Sequence, residues 1–568
     1  MMCARRDHYA DTKRQGRGDM GDGQRSVARM IAAVLEDEGV THVFGNPGST
    51  ELPLLDAVAR APGLSYVPAL QEAVAVAMAD GYAHAAGRVG VAHLHTASGL
   101  GHAMGAMIGA ARMRTPLVVI AGQQDSRHLI RAPWLADDLV GIARPVVKHA
   151  HELTRPEDAG QVLRRAFALA RAWPPGPVFL SLPVDLTLAP VDPPPPRIPA
   201  PAPAAGDIDA AASMIAGAEA DDLVLLVSDT LAGPQGMRAA IAFADATGCR
   251  VFATPVPRAH LFPTDHPGWR GVLPPDLAEI RSILGDARLA VLAGEGAIRP
   301  YHYRPGPALP QGMRVIQLVR DPAAPGLDVA ADLVVGGDPA GGLAALSAVA
   351  ARPGVAAVTM RRRAEKAIAD AGFTARLDRL RDRLPLHPMI AADAVLKAAP
   401  RGVTVVNEAS ALIEGLRRLW QGSIGDRHDF VASAGLGWGM PAAAGVALAT
   451  GRPVLCMTGD GGAMYAPQAL WTAARLRLPV IFVILNNRRY DILMRTATAM
   501  GLESAAAGHA VGMVLDDPAI AFDQLAASMG VVHLRADTVA AIRDGLPGLL
   551  GAGRPAVLEI TIGGADPY

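Results

Sequence analysis

Apolar runs of strand length alternate with segments of helical spacing over nearly the whole chain. From Thr41 onward "THVFGNPG", "STELPLLDAVAR", "LSYVPAL", "QEAVAVAMADGYAHAAG", "VGVAHLHT", "GLGHAMGAMIGAARM" and "PLVVIAG" read as strand and helix in turn. Further along, "DLVLLVSD", "LAVLAGE", "RVIQLVR" and "ADLVVGG" are strands among helical runs, and a third series opens on "GVTVVNE" and closes on "PAVLEITI". Strands that are apolar from end to end belong to parallel sheets covered on both faces. The pattern predicts an α/β protein of three doubly wound parallel-sheet domains.

Two seams separate the series. "VDPPPPRIPAPAPAAG", over 191–206, must stay extended and reads as a Pro-rich linker. Residues 351–388 form a charged helical linker crossing the surface, "RRRAEKAIADAGFTARLDRLRDRLPLHP" included. The domains are expected over 24–190, 207–350 and 389–568. Residues 1–23 are charged, lack an apolar signal core and read as a flexible extension.

The segment "GDGGAMYAPQALWTAARLRLPVIFVILNN", Gly459–Asn487, carries chemistry. Its strands "RPVLCMT" and "PVIFVIL" flank a helical run, so Asp460 and Asn487 fall at the carboxyl ends of parallel strands, where open α/β sheets collect ligands. A carboxylate and an amide oxygen suit a hard cation such as Mg²⁺. Gly461 and Gly462 let a phosphate approach the next helix N-terminus. Two polar strand-end turns are the plainer alternative.

Composition narrows the classes. The chain has 568 residues, 51% hydrophobic and 19% charged, enough for large buried cores. A net charge of −1 gives no electrostatic footprint for nucleic acid. Apolar runs are too short to span a membrane. Cys3, Cys249 and Cys456 show no metal or disulfide spacing, which points to a reducing, cytoplasmic compartment.

The 24 residues between GDG and NN match the cofactor motif of the thiamine-diphosphate enzymes. "FGNPGSTELPLLDAV", "ALQEAVAVAMADGYAHAAG" and "HLHTASGLGHAMGA" resemble their pyrimidine-binding domain. "GQQ", "RPVVK", "FPTDHPGWRG", "NEAS" and "SAGLGWGMPAAAGVAL" narrow the resemblance to the benzoylformate decarboxylase branch, from about Val27 onward. It implies pyrimidine-binding, middle and diphosphate-binding domains in that order, and thiamine diphosphate with Mg²⁺ as cofactors. It further implies non-oxidative decarboxylation of a 2-oxo acid to an aldehyde and CO₂, with carboligation as a side activity. The expected assembly is a homodimer with intersubunit active sites, paired into a homotetramer. An acetolactate-synthase-like ligase, a 2-hydroxyacyl lyase and a catalytically silent cofactor-binding homologue are the rival readings.

Residue roles follow from the same resemblance. Asp460, the Asn487 side chain and the Arg489 carbonyl would bind Mg²⁺, with Asn486 capping the turn. Gly461, Gly462, Ala463, Ser410 and Tyr490 would hold the cofactor tail, Gly462 standing where close relatives have a serine. Asn46 and Pro47 of the "NPGS" tract and the wedge Leu436 would also line the cofactor, with plain core as the alternative for Leu436. Glu72 would bond the aminopyrimidine, burial raising the proton affinity that this sharing needs; its alternative is a carboxylate at a helix start. Ser49 would bind the substrate carboxylate or carbonyl, or else cap a helix. His95 would transfer protons, while His93 is structural. A second proton-transfer residue falls on Tyr301 or His302. Trp134 and Ile492 would restrict the substrate pocket, Ile492 replacing a smaller residue, or Trp134 would pack under a loop.

Overall fold

The computed structural model describes residues 25–198, 208–295, 298–321, 329–509 and 511–564. The expected N-terminal extension and the linker from residue 199 onward lie outside them. The described residues form two compact units. One comprises 25–75, 88–104 and 116–198; the other comprises 76–87, 105–115 and the described part of 201–568.

Three six-stranded sheets, parallel throughout, make up the architecture, as the apolar strands require. The first runs Ser65–Pro68, His42–Gly45, Gly90–Leu94, Leu117–Gln123, Val178–Pro183, His149–Glu152. The third runs His428–Phe430, Thr404–Glu408, Val454–Gly459, Val480–Asn486, Ala556–Thr561, Val532–Ala536. Counted along the chain, both have the order 2-1-3-4-6-5. The middle sheet runs Trp269–Val272, Arg250–Ala253, Leu223–Val227, Leu289–Ala293, Arg314–Val319, Leu333–Gly336, which is the order 3-2-1-4-5-6. In each sheet the chain reverses its direction of growth beside the first strand, and a crevice opens there at the carboxyl ends. In the first sheet the reversal lies between His42–Gly45 and Gly90–Leu94, in the third between Thr404–Glu408 and Val454–Gly459.

Helical faces cover the sheets. Helix Val27–Asp37 buries Val27, Met30, Ile31, Val34 and Leu35 at spacings of three and four, and the Ser26 hydroxyl accepts the Arg29 N–H as its N-cap. These side chains join Val43, Val91, Val118, Ile120 and Phe167 in one core, each worth roughly 1.5–3 kcal/mol on burial. In the third sheet Leu455, Met457, Ile481, Val483 and Leu558 pack on Met389, Ile390 and Val395 of helix Pro388–Ala398. The other face receives helix Gly439–Thr450, whose run "PAAAG" admits a second backbone. A Cβ on Gly445 would lie 2.2 Å from the Met78 carbonyl oxygen, and one on Gly81 2.3 Å from that of Ala442. The charged stretch forms a largely exposed helix, Val355–Asp378, in which Arg362 is buried and bonded to Asp221 and Glu365.

Candidate functional site

In the first sheet the switch point carries a set of polar side chains. The loop after His42–Gly45 contains Asn46, Pro47 and Ser49, and His95 directly follows Gly90–Leu94. Ser49 does not cap a helix: it begins a short 3₁₀ turn, Ser49–Glu51, and the Glu51 carboxylate takes the Gly48 N–H at 2.9 Å. The Ser49 hydroxyl therefore stays exposed at the loop surface, beside the half-buried Asn46.

Glu51 is the residue that sequence reasoning missed. It is 1% exposed, and each carboxylate oxygen accepts two hydrogen bonds. Oε1 takes the Thr50 hydroxyl (2.6 Å) and the Gly122 N–H (3.1 Å); Oε2 takes the Gly48 N–H (2.9 Å) and His95 Nδ1 (2.7 Å). With Oε2 accepting from Nδ1, the imidazole hydrogen sits on Nδ1 and Nε2 is left without one. Gly48 is required for this fit, because a Cβ there would lie 2.2 Å from the His95 ring. The available signal was the acidic residue closing "NPGSTE". His93, two residues before His95, is buried against the Tyr66 ring, and burial pushes its pKa down to about 3, so it stays neutral.

Glu72 opens helix Glu72–Ala86 and is 7% exposed. The Asn46 amide donates to Oε1 at 3.1 Å, and His102 Nδ1 lies 3.2 Å from Oε2. Gly99 packs against it, with a Cβ there 3.1 Å from Oε1. The structure thus joins Asn46 to Glu72 directly, and adds His102 as a partner that the sequence did not reveal.

In the third sheet Ser410, Leu436, Asp460, Gly461, Gly462, Asn487, Arg489, Tyr490 and Ile492 line one cavity, together with Glu408. Ala463 ends the short helix Asp460–Ala463 and is buried. Gly461 gives Tyr490 its place: a Cβ there would lie 2.3 Å from the ring. Asp460 Oδ1 accepts the Gly461 N–H at 2.8 Å, whereas Oδ2 is buried with no hydrogen-bond partner. Burial raises the Asp460 pKa, against the pull of backbone N–H groups at Gly461, Arg488, Arg489 and Asn487. Asn486 is turned to the fold itself, its amide donating to Glu559 at 2.7 Å and accepting the Arg488 N–H at 3.1 Å. The Arg489 guanidinium pairs with Asp491 at 3.0 Å, so its charge is offset.

Tyr301 and His302 do not line this cavity. Both are exposed, Tyr301 by 76%, and their rings pack edge to face at 4.6 Å. Trp134 is 94% exposed, so it does not pack under a loop.

Known families match the chain in both of these regions. Residues 25–137 match the thiamine pyrophosphate enzyme N-terminal TPP binding domain, and 421–560 the C-terminal TPP binding domain. The chain is 31% identical to benzoylformate decarboxylase of Pseudomonas aeruginosa over 96% of its own length and 100% of that protein. The chain belongs to the thiamine-diphosphate-dependent benzoylformate decarboxylase family. A 4-hydroxybenzoylformate decarboxylase of Rhodococcus jostii superposes with a TM-score of 0.83 at 29% identity, covering 95% of this chain and 100% of that one. A putative acetolactate synthase large subunit of Mycobacterium tuberculosis is 28% identical over 94% of this chain and 98% of its own.

As a member of this family the chain is a thiamine-diphosphate-dependent decarboxylase that uses Mg²⁺. The residues present fit both groups. Asp460 Oδ2 is a buried bare acceptor that a cation would satisfy, and an oxygen donor set of carboxylate, amide and carbonyl suits Mg²⁺. Among the described residues no cluster of three or more His, Cys, Asp or Glu offers another metal site. No described helix is long and apolar enough to cross a membrane.

Proposed function

We propose that the chain decarboxylates an aryl or branched 2-oxo acid of the benzoylformate type to the aldehyde and CO₂, with carboligation of aldehydes as a side activity. The observation that carries this reading is His95, held through Nδ1 by the buried Glu51 at 2.7 Å, with Nε2 free to move a proton. Thiamine diphosphate, when bound, supplies the electron sink for loss of CO₂. Asp460, Asn487 and the Arg489 carbonyl hold Mg²⁺, while Gly461, Gly462, Ala463, Ser410 and Tyr490 hold the diphosphate. Glu72, steadied by Asn46, would share a proton with the aminopyrimidine of the bound cofactor. Ser49 donates to the substrate carboxylate, and His95 Nε2 delivers the proton that replaces CO₂ on the product carbon. The Tyr301–His302 loop supplies the second proton-transfer group.

In this reading 24–190 is the pyrimidine-binding domain, 207–350 the middle domain and 389–568 the diphosphate-binding domain. The working form is a cytoplasmic homodimer with intersubunit sites, paired into a tetramer. The likeness to an acetolactate synthase supports a ligase as the second reading. Incubation with Mg²⁺, thiamine diphosphate and a panel of 2-oxo acids separates them. Release of aldehyde from benzoylformate or its 4-hydroxy analogue is expected. Acetolactate from pyruvate as the main product would favour the ligase, and no product from any acid would overturn both.

A further inference from the structure

Glu408, in "NEAS", ends the first strand of the third sheet at its switch point and is 2% exposed. Its two oxygens have different surroundings. Oε1 accepts the N–H groups of Trp438 (2.8 Å) and Gly439 (3.1 Å), at the first turn of helix Gly439–Thr450. Oε2 is buried and has no hydrogen-bond partner, although Glu408 lines the cavity that Asp460, Gly461 and Gly462 form. A Cβ on Gly462 would lie 2.8 Å from the Thr458 hydroxyl and 3.8 Å from Oε2, so glycine keeps this wall of the cavity open beside Oε2.

An ionised carboxylate with one oxygen bare in a buried site is costly. A neutral acid fits the geometry, with Oε1 as the carbonyl oxygen taking both N–H groups and Oε2 carrying the hydrogen. Burial pushes the Glu408 pKa up to about 7, and the backbone donors at Gly439, Trp438 and Gly437 only partly oppose it. The neighbouring groups do not force ionisation. Cys456, on the adjacent strand, is a buried thiol held neutral. Asp460 lines the same cavity, and Arg489, which also lines it, is paired with Asp491. Asp80 bonds the Trp438 ring nitrogen at 2.9 Å and has the Thr115 side chain beside it.

We propose that Glu408 is held as the neutral acid and that its Oε2–H donates a hydrogen bond to the cofactor's diphosphate. This rests on the reading that the Asp460 cavity holds the diphosphate. Glu408→Gln mimics the neutral acid, with its carbonyl oxygen on the two N–H groups and its NH₂ at the Oε2 position. Glu408→Ala removes the donor.

The test is calorimetric titration of Mg²⁺–thiamine diphosphate, and of Mg²⁺–pyrophosphate, into cofactor-stripped protein at pH 6 and 8.5, with melting followed separately. At pH 6, Glu408→Gln should bind within about threefold of wild type and Glu408→Ala at least about tenfold more weakly with both probes. Between the two pH values wild-type affinity should fall about tenfold further than that of Glu408→Gln, since only wild type loses its donor by ionisation. Wild-type affinity in a folded Glu408→Ala of lowered Tm would make Glu408 a helix cap only and overturn the proposal. Parallel pH dependence in wild type and Glu408→Gln would overturn it too, and decides the matter if Glu408→Ala does not fold. Failure of wild type to bind either probe would instead remove the cofactor site itself.

Discussion

Replacing Glu51 with glutamine perturbs the account where the structure is most specific. Four donors converge on its carboxylate: Thr50 and Gly122 on one oxygen, Gly48 and His95 on the other. An amide offers one oxygen and one NH₂, so whichever way it turns, two buried donors face a donor. Each unmet group costs about 1–3 kcal/mol, giving a stability loss of about 2–6 kcal/mol. If the NH₂ faces His95, Nδ1 must become an acceptor and the ring hydrogen moves to Nε2, the wrong tautomer for delivering and regaining a proton there. If the oxygen faces His95, the ring keeps its tautomer but loses the charge-assisted bond that fixes it. A positioned acid–base group contributes roughly 10²–10⁴-fold, so kcat should fall at least ~100-fold. Substrate KM and cofactor affinity should stay within about threefold, because Glu51 lines neither Glu72 nor the Asp460 cavity. Steady-state decarboxylation of benzoylformate below the variant's Tm, with calorimetry of cofactor binding, measures both. A folded Glu51→Gln with kcat within twofold of wild type would refute the claim that Glu51 positions His95.

Asp460→Ala should weaken Mg²⁺-dependent cofactor binding at least ~100-fold by calorimetry. It should leave the cofactor-free Tm unchanged or higher, because a buried bare carboxylate oxygen is removed. Ile492→Ala should shift the ratio of kcat/KM for aryl over small aliphatic 2-oxo acids by about tenfold, the scale of one or two methylenes in an apolar pocket, measured by competition between the two acids. His93 is neutral when folded, with a pKa of about 3, but titrates near 6.5 when unfolded. The unfolded chain thus binds the proton first, and the stability contributed by His93 is present above pH 6.5 and lost as pH falls. Between pH 6.5 and 5 the loss is about 2 kcal/mol, and His93→Gln should flatten that part of the Tm profile.

The sheets were legible because their strands are apolar throughout and the helices between them keep their spacing. The cavity shared by Asp460 and Asn487 was legible because both residues belong to one strand–helix–strand unit, close in sequence. Glu51 was not, since its partners His95 and Gly122 stand 44 and 71 residues away and meet it only when the loop folds back over the sheet. Read locally, it is an acid in a first helical turn. Glu408 was hidden in the same way, because its partners Trp438 and Gly439 come from another element. Tyr301 and His302 sit on an exposed loop, where no strand register singles out one of the two.

Activation of the cofactor by Glu72, as distinct from its binding by Asp460 and Asn487, is the account's central claim. Glu72→Gln keeps the size of the side chain and its bond to Asn46 but removes the carboxyl that exchanges a proton with the aminopyrimidine. The direct measurement is hydrogen–deuterium exchange at the thiazolium carbon of bound thiamine diphosphate, followed by quenched NMR. Exchange in Glu72→Gln should slow by ~10²–10⁴-fold, with cofactor affinity reduced only modestly. Exchange at the wild-type rate would leave Glu72 a carboxylate at a helix start and contradict the account.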